Sequence, residues 1–152
     1  MDSYLKHYIN GKWVDSIGGK RHEVISPSTE EPCTEITLGT QADVDAAVAA
    51  AREAFKTFSQ TSREERIALM NRIIEEYKKR IPDFAKSMAA EMGAPVSFAT
   101  MAQAPAGLGG FLGTLPALEQ FSFKEQHGAN TVVYEPIGVV GMITPWNWPL
   151  NQ

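Results

Sequence analysis

The chain has 152 residues, a length that fits one compact domain and permits a sizeable buried core. Hydrophobic residues make up 43% and charged residues 21%, an ordinary globular composition that excludes disordered, collagen-like and coiled-coil chains. The net charge is −4 and the basic residues form no stripe, which disfavours nucleic acid as a partner. The single cysteine, Cys33, excludes an internal disulfide framework and a cluster of thiolate zinc ligands.

The N-terminal part of the chain is predicted to be β-structure. Residues 1–6 lack the charged-then-apolar pattern of a signal peptide, so with a single cysteine we predict a cytoplasmic protein. Asn10-Gly11 lies between apolar residues, and both residue types adopt the positive φ of a tight turn, which predicts a β-hairpin over 8–14. Two more short strands are predicted at 22–25 and 33–38, and in the second Cys33 shares a face with polar residues, which indicates a structural role.

Three amphipathic helices are predicted next. Thr40 is the expected N-cap of the first helix, whose apolar stripe consists of Val44, Ala47, Val48, Ala51, Phe55 and Phe58. Ser62 and Glu65 form a capping box that begins the second helix. Pro82 predicts the end of that helix and the start of a third, which ends at Gly93.

An uncharged stretch follows at 95–118, and its length would suffice to cross a bilayer. Prolines, glycines and polar side chains interrupt it and no basic cluster flanks it, so we predict no membrane partner. The favoured interpretation is a buried helix kinked near Pro105, with Gly109 and Gly113 permitting the close approach of a neighbour. A membrane-associated helical protein is the competing hypothesis, which solubility without detergent would exclude.

The end of the chain carries the chemical signal. Strands are predicted at 131–135 and at 138–143, and the second is apolar on both faces, which is typical of the middle of a parallel sheet. Pro145 forbids extension of that strand, so the loop 144–148 lies at its carboxyl end, where open α/β sheets bind ligands.

Asn147 is the candidate catalytic residue of this loop. Its side-chain amide can donate hydrogen bonds, the kind of group that stabilises an oxyanion when it is held rigidly in a dry site. From spacing alone, an Asn between two aromatic residues more often caps a turn or a helix. For Trp146 and Trp148 the non-functional interpretation is packing, since an isolated Trp usually packs in a core or an interface.

Residues 145–149, Pro-Trp-Asn-Trp-Pro, resemble the Pro-Trp-Asn-aromatic-Pro signature of NAD(P)-dependent aldehyde dehydrogenases. Further landmarks of the family occur in family order at 9–13, 26–29, 43–48, 91–95 and 135–140. The resemblance implies an α/β fold, namely the N-terminal part of a Rossmann-like cofactor-binding domain with a β-hairpin, several helices and the first strand of the parallel sheet. It implies a division into a hairpin and helical part at 1–128, an oligomerisation-arm strand at 129–137, and the first sheet strand with its loop at 138–152.

The resemblance also implies roles for individual residues. Asn147 would join a backbone N–H in the oxyanion hole. Contacts with the coenzyme, NAD or NADP, are expected from Ile143, Thr144, Pro145, Trp146 and Asn147. Residues expected to border the substrate tunnel are Trp148, Asn151 and Gln152. The family binds a monovalent cation near an early turn, and Ile25 and Glu91 lie at matching places; the metal-binding residues are otherwise unknown.

The chemistry implied is attack of a cysteine thiolate on a small-molecule aldehyde, hydride transfer to the coenzyme and hydrolysis of the acyl-enzyme. Cys33 lies far upstream of the family's nucleophile, which we expect beyond Gln152 together with the general base. We therefore expect a fragment of a homodimeric or homotetrameric enzyme, inactive by itself. The alternative is a truncated, non-catalytic relative that serves as an oligomerisation or binding module. The choice of aldehyde, of NAD or NADP, and of water or coenzyme A as acyl acceptor is left open.

Overall fold

A computed structural model describes residues 4–152. The strands are β1 Lys6–Ile9, β2 Lys12–Asp15, β3 Arg21–Ile25, β4 Pro32–Thr37, β5 Lys124–His127 and β6 Asn130–Val133. The helices are α1 Gln41–Phe58, α2 Arg63–Met92, α3 Val96–Phe98 and α4 Ala104–Gln120, with a π-helical turn at Ala99–Gln103 between the last two. Residues 1–3 lie outside the described residues. Two predictions begin there: the hairpin and helical part at 1–128, and the absence of a signal-peptide pattern at 1–6.

The hairpin predicted around Asn10-Gly11 is confirmed. Asn10 has φ 52° and Gly11 has φ 73°, the left-handed pair that a tight primed turn requires. β1 and β2 pair antiparallel, and the facing rings of Tyr8 and Trp13 lie 5.1 Å apart. β3–β4 and β5–β6 form two further antiparallel pairs, so the sheets within the described residues each contain two strands.

A buried carboxylate joins the first hairpin to α1. Thr40 is the N-cap, as predicted, and Asp43 completes a capping box with it. Asp43 is 5% exposed and also accepts hydrogen bonds from the Ser16 hydroxyl at 2.5 Å and the Ile17 amide at 2.8 Å. The hydrogen bonds from Ser16 and Ile17, together with one from the Thr40 amide, hold the pKa of Asp43 well below its usual range. The apolar stripe of α1 is largely exposed, Val44 among it.

The predicted break at Pro82 is wrong. α2 runs from Arg63 to Met92 with Pro82 inside it. The carbonyl that loses its helical donor is that of Lys78, and both Lys78 and Pro82 are exposed, so solvent can hydrate it. The predicted capping box at Ser62 and the stop at Gly93, which has φ 71°, are confirmed.

The core lies where α2 packs against α4 and the π turn. Ala85, Met88, Ala99 and Ala104 are buried together, and Leu150 from the end of the chain packs against them. Just before Pro105, near which the kink was predicted, the helix changes to π geometry; the kink itself stays a prediction.

The close approach on α4 occurs at Gly107, not at the predicted Gly109 and Gly113. Both predicted glycines have open space where a Cβ would lie. A Cβ at Gly107 would instead clash with the Leu150 carbonyl oxygen and the Tyr77 hydroxyl. Among the residues described, none of the helices combines the length and the apolar composition needed to cross a bilayer.

The strands predicted near the end of the chain differ from those observed. β6 covers Asn130–Val133 and pairs with β5, whereas the prediction extended to Glu135. The predicted sheet strand at 138–143 is wrong for this chain: it pairs with no described strand, and Met142 and Ile143 are 83% and 101% exposed. A strand in the middle of a parallel sheet requires neighbours on both sides. The mixed α/β class is confirmed. The division of the chain into parts that end at residues 128 and 137 stays a prediction, and residue 128 lies in the turn between β5 and β6.

Candidate functional site

The loop predicted to carry the chemistry borders a cleft between the end of the chain and α2. This cleft has a volume of about 820 Å³ and a mainly apolar lining. Thr144, Pro145 and Trp146 line one side, and Phe84 and Met88 of α2 line another. The site therefore combines an apolar recess with a loop of polar and aromatic residues, the usual composition of a small-molecule site.

A buried glutamine fixes the centre of the loop. Gln103, the last residue of the π turn, is 5% exposed, and its Nε2 donates a hydrogen bond of 3.2 Å to the backbone carbonyl of Asn147. Within residues 4–152, the buried Oε1 of Gln103 has no hydrogen-bond partner. The contact spans 44 positions of sequence and ties the loop to the helical core.

Two apolar contacts fix the residues that follow. The ring of Trp148 meets that of Phe98 edge-on, with centroids 5.7 Å apart and planes at 78°. Leu150 packs into the core cluster, and its carbonyl lies directly against Gly107. The Asn151 amide then donates to the Trp148 carbonyl at 3.1 Å, so the chain turns here. The loop is thus anchored at three points just before and after α4 begins.

The side chain of Asn147 is exposed and makes no hydrogen bond with the residues that the structure describes. Its amide is consequently available to donate to a ligand. Because the carbonyl of the same residue is bonded to Gln103, the direction in which the side chain leaves the backbone is restricted. Asn147 itself does not line the cleft, but its loop neighbours Thr144, Pro145 and Trp146 do. An unpaired donor on such a loop can stabilise negative charge that develops on a bound oxygen.

The other predicted residues are distributed around this point. Ile143 is fully exposed and does not line the cleft, whereas Trp146 lines it and is 77% exposed. Asn151 and Gln152 are exposed at the end of the chain. Ile25 and Glu91, the predicted cation residues, both line the cleft. None of the described residues forms a group of three or more His, Cys, Asp or Glu side chains that could hold a metal.

Cys33 is far from this loop in the sequence, and it is not among the residues that line the cleft. It lies in β4, half-buried, and its Sγ donates to the Val24 carbonyl at 3.3 Å. That contact agrees with the structural interpretation of this residue.

Sequence reasoning missed the residues that hold the loop. Gln103, Phe98 and Gly107 were not predicted to contact it. The one available signal was Gln103 itself, a polar side chain inside an uncharged helical stretch, since buried polar groups usually have a specific partner.

The sequence model of the aldehyde dehydrogenase family matches residues 13–152. A 3-succinoylsemialdehyde-pyridine dehydrogenase from a Pseudomonas species is 46% identical over 153 aligned residues, which cover 100% of this chain and 32% of that protein. The crystal structure of an aldehyde dehydrogenase from Bartonella henselae superposes with a TM-score of 0.95 and 44% identity, covering 100% of this chain and 33% of the other. A mutant of aldehyde dehydrogenase C from Pseudomonas syringae, complexed with NAD+ and octanal, gives a TM-score of 0.95 at 38% identity over 98% of this chain and 31% of its own. The chain therefore spans about a third of the length of these relatives.

Proposed function

The chain belongs to the aldehyde dehydrogenase family, and on that premise we propose that the complete protein oxidises an aldehyde to a carboxylic acid with NAD(P)+. In this proposal the chain supplies the N-terminal part of the Rossmann-like coenzyme-binding domain. The observation that carries the proposal is the unpaired side-chain amide of Asn147, in a loop that is held at its backbone by Gln103 and whose neighbouring residues line an apolar cleft.

Asn147 is the proposed catalytic residue. When a thiolate attacks an aldehyde, negative charge develops on the former carbonyl oxygen. The side-chain N–H of Asn147, together with a backbone N–H, donates hydrogen bonds to that oxygen and lowers the barrier. The proposed thiolate is not that of Cys33, whose Sγ donates to the Val24 carbonyl within a strand. We propose that the thiolate and the general base that activates water are supplied by other residues of the complete protein.

The cleft fits the nicotinamide end of the coenzyme, since its lining is mainly apolar and Trp146 exposes a flat indole to it. The bound coenzyme supplies the hydride acceptor. The residues proposed to contact it are Ile143, Thr144, Pro145, Trp146 and Asn147. The substrate tunnel is proposed to be bordered by Trp148, Asn151 and Gln152. The solved complex of the Pseudomonas syringae relative with NAD+ and octanal supports this pairing of coenzyme and substrate class.

We further propose a cytoplasmic homodimer or homotetramer. The exposed apolar side chains at the end of the β5–β6 hairpin, Val133 at 54% and Tyr134 at 46% exposure, support an oligomerisation arm. Ile25 and Glu91 are proposed as contacts of a monovalent cation.

The test is Asn147→Ala in the complete protein, with Asn71→Ala on the exposed face of α2 as the matched control. We expect acylation, measured as the pre-steady-state burst of NAD(P)H, to slow by about a hundred- to a thousandfold, with nearly unchanged affinity for the coenzyme. A normal burst rate would refute the oxyanion role, and loss of coenzyme binding would assign Asn147 to coenzyme contact or to the structure of the loop instead of the oxyanion hole. If the unmodified protein reduces NAD(P)+ with none of a panel of aliphatic and aromatic aldehydes, the non-catalytic binding module replaces the enzyme.

A further inference from the structure

We propose that Gln103 is a positioning residue that sets the direction of the Asn147 amide. The inference rests on the proposed function, because it concerns how that amide is aimed at the reacting oxygen. It assigns a role in the reaction to a residue in the core of the helical part, outside the Pro-Trp-Asn-Trp-Pro signature.

The contact itself is specific in its chemistry. A carbonyl oxygen accepts hydrogen bonds and cannot donate them, so only the NH₂ side of the Gln103 amide can face the Asn147 carbonyl. The other side, Oε1, is buried without a partner among the described residues, which is unfavourable. The bond from Nε2 fixes the orientation of one peptide group.

That peptide group matters because of where it lies in the loop. Ile143 and Trp146 are exposed, so the chain that precedes Asn147 is weakly held. The hydrogen bond from Gln103 is part-buried, and the contacts of Trp148 and Leu150 follow it along the chain. With no hydrogen bond of its own, the Asn147 side chain takes its direction from the backbone that Gln103 fixes. A misplacement of about 1 Å at a reacting centre can cost about a hundredfold in rate.

The deciding variant is Gln103→Glu, which keeps the shape of the side chain. A carboxylate repels the Asn147 carbonyl, whereas a protonated carboxyl can donate to it as the amide does. Burial raises the pKa of a carboxyl group, so the protonated form becomes populated at mildly acidic pH. Gln120→Glu at the exposed end of α4 adds the same charge without touching the loop and is the matched control.

In the complete protein we expect Gln103→Glu to slow the NAD(P)H burst by about ten- to a hundredfold near pH 8, with the ratio of wild-type to variant rates shrinking as the pH falls towards about 5.5. Gln120→Glu should match the wild type throughout. A ratio that stays constant with pH, or equal rates, would overturn the positioning role, because lost packing alone does not respond to protonation.

A second readout is independent of activity. Amide hydrogen exchange, measured on the protein without aldehyde or coenzyme, should accelerate at 146–151 in Gln103→Glu near pH 8 and stay unchanged in α2. Acceleration spread over α2 and α4 would indicate general destabilisation and would contradict the proposal. If the wild type oxidises no aldehyde, the proposed function fails, while exchange at 146–151 still decides whether Gln103 holds the loop.

Discussion

Gly107→Ala tests the packing of the loop against α4. The added methyl group would clash with the Leu150 carbonyl oxygen and with the Tyr77 hydroxyl, so both groups must move away from α4. Overpacking costs about 1–3 kcal/mol, and loss of the Tyr77 bond to the Ala104 carbonyl costs about 1 kcal/mol more. The better helix propensity of Ala returns about 1 kcal/mol, which leaves a net cost of about 2 kcal/mol.

The assay is native-state hydrogen exchange of the α4 amides, which reports the free energy of local opening. A cost of about 2 kcal/mol corresponds to exchange about thirtyfold faster, since about 1.4 kcal/mol is a factor of ten. Gly109→Ala is the matched control, because open space surrounds that glycine and the change should slow exchange slightly. If Gly107→Ala also slowed exchange, the close approach of Leu150 to α4 would be refuted.

Two further predictions concern buried polar groups. Because hydrogen bonds lower the pKa of Asp43, its contribution to stability is fully present above about pH 4 and is lost as the pH falls through the lowered pKa. Thermal melts should therefore show Asp43→Asn less stable than wild type at neutral pH, with the gap in Tm narrowing in acid; a constant gap would contradict this. Burial raises the pKa of Tyr77, whose hydroxyl donates to the Ala104 carbonyl at 2.6 Å. Tyr77→Phe should lower the free energy of α4 opening by about 1 kcal/mol in hydrogen exchange, and an unchanged value would show that this bond contributes nothing.

Features that depend on a few neighbouring residues could be predicted from the sequence. Asn10-Gly11 determines a tight turn through its own backbone preferences. Ser62 and Glu65, three residues apart, together determine where α2 begins. Pro82 was misjudged because its effect depends on whether the orphaned carbonyl faces solvent, which the sequence does not state.

Features that depend on distant partners could not be predicted. The segment 138–143 has the composition of a buried strand, but composition does not create the neighbouring strands that a sheet requires. The candidate site shows the same limit. Asn147 was found through its local signature, whereas its contact with Gln103 joins residues 44 positions apart and leaves no local pattern.

The π turn at Ala99–Gln103 also sets an angular phase. Each residue of an α-helix advances the helix by about 100°, and a π turn winds less per residue. Phe98, which meets Trp148, precedes the turn, and Gly107, which meets Leu150, follows it. Winding the same residues as a regular α-helix would therefore rotate these two faces relative to each other. Both could then no longer point at the same loop, so the π geometry of this turn is as constrained as the chemical identity of its residues.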